Sequence, residues 1–199
     1  MILHAMTGNK VEIEIKARID SIGAMEDRIK KAGGTFKCNL VHEDYYFDRP
    51  PKLGSFASTD EALRLRLSRD ETNGIEKQFI TYKGKKLDGE TKTREEIEVP
   101  VGDIDAMRRL LVALGYVEAI VVRKVRKLFE AGDIEVLLDK VEHLDTPFIE
   151  VEIIGKREDV PRITERLFAY LEQLGIPRDR SERKSYLELI MAALASRPR

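Results

Sequence analysis

Tryptophan is absent from this 199-residue chain, and cysteine occurs once, at Cys38. A single thiol excludes an intramolecular disulfide and predicts a reducing compartment, with the cytoplasm as the natural home. Histidine is also scarce: His4, His42 and His143 are scattered and have no cysteine partners, which argues against a structural zinc site. No apolar run approaches the length of a spanning helix, and no long apolar core follows a basic region at the start, so no membrane association is expected. Charge of one sign is missing too. The 35 basic and 36 acidic residues leave a formal net charge of -1, so there is no global basic field to gather nucleic acid.

What the chain does have is charge in quantity, 36% of residues, beside enough hydrophobic residues, 42%, to build a core. The length predicts one domain spanning 1–199 with its core at about 10–190, and no linker, repeat or low-complexity run divides it. The charges are ordered. In Val11–Ile19, Glu12, Glu14, Lys16 and Arg18 share one face of a strand, while Val11, Ile13, Ile15, Ala17 and Ile19 share the other. Two carboxylates followed by two cations repel their like neighbours, and a polyvalent metal or an anion would relieve this. A solvated strand face alternates in the same way, so the choice rests on whether other strands repeat the pattern.

They do. Leu63–Leu67 alternates with Arg64 and Arg66 on one face, and Asn73-Gly74 supplies turn chemistry before Glu76–Lys83, where Lys77, Phe79, Thr81 and Lys83 share a face. A basic, Gly-containing loop at Gly84–Gly89 leads to a strand at Thr93–Val99 with Arg94, Glu96 and Glu98 together. A meander of Tyr116–Phe129, Ile134–Val141 and Phe148–Ile154 follows, carrying Lys124 and Arg126, then Glu135 and Asp139, then Glu150 and Glu152. Thr35–Phe47 also reads as extended, and the loop from Arg49 to Asp60 is long enough to cover a site. Helices are predicted from Ser21 to Ala32, Asp103 to Leu114, Val160 to Leu174 and Lys184 to Ala195, with an Arg197-Pro198-Arg199 tail that frays.

The fold class implied is α+β with mostly antiparallel neighbours, because short turns join the strands and helices do not alternate with them. A one-layer sheet with helices on its apolar side satisfies the pattern. So does an eight-stranded antiparallel β-barrel with charged interior and helices packed outside, since about eight strands close a barrel around a small ligand. Closure is preferred because acids and bases segregate by strand. Acidic oxygens would collect a hard cation, Mg2+ or Mn2+, and arginine forks and lysines would collect phosphate, which together describe a site for a metal-bound polyphosphate. A salt-bridged solvent face is the alternative.

These residues resemble the CYTH superfamily of triphosphate tunnel metalloenzymes. The Glu-x-Glu-x-Lys signature stands as Glu12, Glu14 and Lys16, followed in family order by Arg64 and Arg66, Lys83, Arg94-x-Glu96-x-Glu98, Lys124-x-Arg126, Asp139 and Glu150-x-Glu152. His42–Asp48, Phe56–Arg64 and Lys184–Leu189 are most similar to the class IV adenylyl cyclase branch and its archaeal relatives. The resemblance implies a triphosphate tunnel with metal on Glu12, Glu14, Glu96, Glu98, Asp139, Glu150 and Glu152. It implies substrate phosphate on Lys16, Arg64, Arg66, Lys83, Arg94, Lys124 and Arg126, and catalytic roles for Glu12, Glu14, Lys16, Asp139 and Glu150. The expected reaction is conversion of ATP to cyclic AMP and pyrophosphate, with no histidine needed as base. The alternatives are hydrolysis of thiamine triphosphate, tripolyphosphate or a nucleotide, and non-catalytic polyphosphate or nucleotide binding. A small-molecule triphosphate is the expected partner, and a homodimer is left open.

Overall fold

The computed structural model of the chain describes residues 10–86, 91 and 93–196. The Arg197-Pro198-Arg199 tail and the outer part of the Gly84–Gly89 loop lie outside those residues. Eight strands form one sheet: β1 (Lys10–Arg18), β2 (Thr35–Asp48), β3 (Ala62–Asp70), β4 (Ile75–Lys83), β5 (Glu96–Pro100), β6 (Val117–Ala131), β7 (Ile134–Val141) and β8 (Phe148–Lys156). Their order is β1-β8-β7-β6-β2-β3-β4-β5, and every ladder is antiparallel. The sheet curls so far that its two edges approach, and Glu12 on β1 forms an isolated bridge with Arg94 just ahead of β5. β5 begins at Glu96 and not at Thr93 because Glu96 lies opposite Lys83, the last residue of β4.

Strand periodicity sorts the side chains. On β1 and β8, Ile13, Ile15, Ala17, Ile149 and Val151 turn outward and are buried beneath α1 (Ile22–Lys31) and α3 (Val160–Gln173), against Ile29, Leu167 and Leu171. On β3, Leu63, Leu65 and Leu67 turn outward beneath Ile104 and Leu111 of α2 (Ile104–Ala113). Each such side chain contributes about 1.5–3 kcal/mol on burial, so the opposite, charged residues are driven to the concave face without needing to stabilise it themselves. The concave face is charged only in its middle. Cys38, Leu40, Leu128 and Leu137 close one end with an apolar cluster.

At the other end, α4 (Tyr186–Ala195) packs Tyr186, Leu189 and Ile190 against Tyr46, Val122 and Phe148. The helix starts at Tyr186, two residues later than the sequence pattern suggests, because Ser185 is its N-cap. The Ser185 side chain accepts from Glu188 N–H while the Glu188 carboxylate accepts from Ser185 N–H. The Arg49–Asp60 segment is more ordered than an open loop, with short 3-10 turns at Pro51–Leu53 and Phe56–Thr59. Asp48 fixes its start by accepting from the backbone N–H of Arg49 at 2.8 Å and of Phe56 at 2.7 Å. Arg49 then lies over the Phe56 ring at 4.4 Å.

Candidate active site

The concave face encloses a cavity of about 660 Å³, within the range of small-molecule sites. Glu12 and Glu14 from β1, Arg64 and Arg66 from β3, Lys83 from β4, Arg94, Glu96 and Glu98 at the seam, Lys124 and Arg126 from β6, and Glu150 and Glu152 from β8 all line it. Residues distant in sequence meet because each charged strand presents the same pleat face inward. Of the residues expected to hold metal or phosphate, Lys16 and Asp139 do not line the cavity.

The cations are held in place by buried acids. Asp44, on β2 opposite Arg66, accepts from Arg66 Nε at 2.6 Å and from its terminal nitrogen at 2.7 Å, and lies 3.4 Å from Arg64. Burial opposes the Asp44 charge, yet Arg66 and Arg64 outweigh it and hold the carboxyl well below the usual range. Asp139, which is fully buried, does the same on β7. It accepts from Arg126 through two nitrogens at 2.6 Å, from Lys124 at 3.1 Å and from the Tyr186 hydroxyl at 2.8 Å. Glu150 accepts from Arg126 as well. Burial and the neighbouring Arg126 push the Lys124 ammonium down to about 8, so it is the most easily neutralised of these cations.

The acids form the opposite wall. One carboxylate oxygen from each of Glu12, Glu14 and Glu152 can lie within 4.8 Å of the others. Glu14 and Glu152 are direct cross-strand neighbours on β1 and β8, a placement that is destabilising for like charges. Burial first, then Glu96 and Glu14, raise the Glu12 carboxyl to about 8. Glu152 is raised well above its usual value by burial, Glu12 and Glu135. The donor set is all oxygen and its charges repel, which fits a hard divalent cation bound by Glu12, Glu14 and Glu152. Glu96 pairs with Lys83, and Glu98 accepts from the Thr81 hydroxyl at 3.0 Å, so both stand beside this trio with partners of their own.

The raised carboxyls have a measurable consequence. A folded-state value above the unfolded one gives stability that is present at low pH and lost as pH rises, here from about 4.5 to about 8 for Glu12. His42, depressed by burial and Arg66, acts in the opposite direction, but only below the ordinary imidazole value of 6.5. Lys124, depressed to about 8, adds stability only above that pH. Metal-free protein is therefore expected to lose melting temperature from pH 6.5 to 8, and Mn2+ is expected to restore it. A melting temperature that is flat across this window without metal would contradict the strained acidic trio.

Lys16 is only 1% exposed. Its ammonium donates to the Lys184 carbonyl and lies 4.1 Å from the centroid of the Tyr186 ring. The segment before α4 crosses β1 here, through a bridge of Ala17 with Ser181 and a bond from Glu182 N–H to the Lys16 carbonyl. Sequence reasoning gave no role to Tyr186, since one tyrosine at a helix start carries no signal of what lies beneath it. Asp44 carries no sequence signal of its role either, and the structure locks it onto Arg66 and Arg64.

The profile of the CYTH domain matches residues 10–186. The chain belongs to the CYTH family. This family acts on triphosphates and uses divalent metals, in keeping with the acidic trio and the facing cations. The CYTH chain is 39% identical over 180 residues to "Putative adenylate cyclase MJ0240" of Methanocaldococcus jannaschii, covering 90% of this chain and 98% of that protein. It is similar to the solved structure of the PH1819 protein from Pyrococcus horikoshii, with 36% identity, a TM-score of 0.82, and coverage of 91% and 98% of the two chains. The CYTH fold is shared by a Hippeastrum "putative adenylyl cyclase" described as having a dominant triphosphatase activity, at 21% identity and a TM-score of 0.63, covering 91% and 95% of the two chains. No helix among the described residues is long and apolar enough to cross a membrane.

Proposed function

We propose that this protein is a Mg2+- or Mn2+-dependent enzyme that converts ATP to cyclic AMP and pyrophosphate. The observation that carries the reading is one cavity lined by an acidic trio, by cations facing it and by an apolar mouth. Phe56, Ala62, Ala119, Ile120, Leu187 and Met191 line that mouth. A register shift between Tyr46 and Phe47 leaves Ala119 out of the ladder and opens room there. A purely inorganic chain needs no such surface, whereas a base does.

In this reading Glu12, Glu14 and Glu152 hold the metal, with Glu96, Glu98 and Glu150 beside them, while Arg64, Arg66, Lys83, Arg94, Lys124 and Arg126 bind phosphate oxygens. Asp139 and Asp44 orient the guanidinium groups, and Lys16 joins the phosphate ligands only if the Lys184 carbonyl releases it. The bound metal supplies acidification of the attacking hydroxyl and neutralisation of the leaving group. The chain folds the ribose back so that O3′ lies in line with the α-phosphorus. The O3′–phosphorus bond forms as the bond to the bridging oxygen breaks, pyrophosphate leaves on the cations, and the hydroxyl proton passes to solvent.

A second reading, hydrolysis of a terminal phosphoryl by water, is favoured by the activity described for the Hippeastrum relative. Incubating pure protein with Mn2+ and ATP, tripolyphosphate or thiamine triphosphate, then identifying the products, separates the two. Cyclic AMP with pyrophosphate is the expected result. Orthophosphate from any of the three without a cyclic product would establish the hydrolase instead.

A further inference from the structure

His42 lies on β2 between Asp44 and the apolar cluster at the closed end of the concave face. Its ladder partners are Lys124 on β6 and Ser68 on β3, so these side chains start about 5 Å apart on one pleat face. Arg66 opposes Asp44 and Arg126 opposes Leu40, which puts both guanidinium groups on the diagonals around the ring. The imidazole is 1% exposed, and neither Nδ1 nor Nε2 has a hydrogen-bond partner. A neutral imidazole offers one donor and one acceptor, and leaving both unmet in a buried site costs free energy. Beside a row of acids and bases that are nearly all paired, this is a group lacking a ligand.

The surroundings define what that ligand is. Arg66 from β3, Lys124 and Arg126 from β6, and burial all keep the ring neutral, and Asp44 on its own strand is the opposing charge. The cations that would attract phosphate are therefore those that exclude a proton from His42. A polyphosphate placed among them reverses the local field and brings an acceptor to the ring.

We propose that His42, buried just beneath the cavity's inner lining, is a phosphate ligand that binds a proton when a polyphosphate settles among Arg66, Lys124 and Arg126 and then donates to a phosphoryl oxygen. This rests on the triphosphate reading of the site. It adds a pH-responsive contact that lies deeper than the lining residues and is distinct from the carboxylates that hold metal.

The test uses imidazole 15N resonances of the full chain, which has three histidines. His42→Gln identifies the signal, and inorganic tripolyphosphate with chelator is the probe. The His42 ring is expected to be neutral from pH 6 to 8 without tripolyphosphate and cationic at pH 7 when saturated with it. Titration calorimetry in buffers of different ionisation enthalpy is expected to show close to one more proton taken up by the wild type than by His42→Gln, with binding to the variant about tenfold weaker. A ring that stays neutral in the saturated complex overturns the proposal while leaving the triphosphate site standing. Absence of any tripolyphosphate binding, with chelator or with Mg2+, overturns both.

Discussion

Glu12→Gln is expected to lower metal-dependent turnover by about three orders of magnitude while making the metal-free protein more stable at pH 8. The two effects have opposite signs because one carboxylate serves both. Its charge repels Glu14, Glu96 and Glu152 in the absence of metal, as the raised Glu12 and Glu152 carboxyls indicate. Removing that charge relieves a strain on the order of a few kcal/mol. A divalent cation needs the same charge, and the transition-state stabilisation it supplies is worth several kcal/mol, hence the loss in rate. Tripolyphosphate binding without metal should not weaken, since Glu12 is no phosphate ligand and its charge competes for Lys83 and Arg64. Thermal melts at pH 6.5 and 8, initial rates in Mn2+ and calorimetric titration with tripolyphosphate check all three. A variant that is less stable than wild type at pH 8 and fully active would remove Glu12 from the metal site.

Arg126→Ala is expected to damage both fold and binding. Arg126 supplies two bonds to the fully buried Asp139 and another to Glu150, so its loss takes a cation from two buried carboxylates and leaves Asp139 to Lys124 and Tyr186. Breaking a buried pair from one side costs about 3–5 kcal/mol. Tripolyphosphate affinity should fall by about a hundredfold, because a fork that spans two oxygens is lost. Arg126→Lys is expected to recover much of the stability and little of the affinity, since an ammonium satisfies the acids but cannot bind in a fork. Full recovery of affinity in the lysine variant would mean that Arg126 acts only as a structural brace.

The strand and helix pattern was legible because strict alternation at Val11–Ile19 and Leu63–Leu67 leaves one pleat face nothing but charge, and the outward leucines and isoleucines fix which face the helices cover. The meeting of Glu12 with Glu152 followed from the same logic. What sequence could not show was depth along the tunnel and who is already paired. Lys16 shares the face of Glu12 and Glu14, yet the strap before α4 captures its ammonium, a tertiary contact across 168 residues. Asp139 reads as a metal ligand by type, but its oxygens are occupied by Arg126, Lys124 and Tyr186. Glu150 likewise faces Arg126, which leaves Glu12, Glu14 and Glu152 as the convergent set.

The central claim is that acidic and basic walls of one cavity hold a metal-bound triphosphate between them. Crystals grown with Mn2+ and tripolyphosphate test it most directly, because manganese scatters anomalously and marks its own position. The account places the manganese peak between Glu12, Glu14 and Glu152, with phosphorus density against Arg66, Lys124 and Arg126. A manganese peak elsewhere, or tripolyphosphate bound on the outer surface with the cavity unchanged, would contradict it.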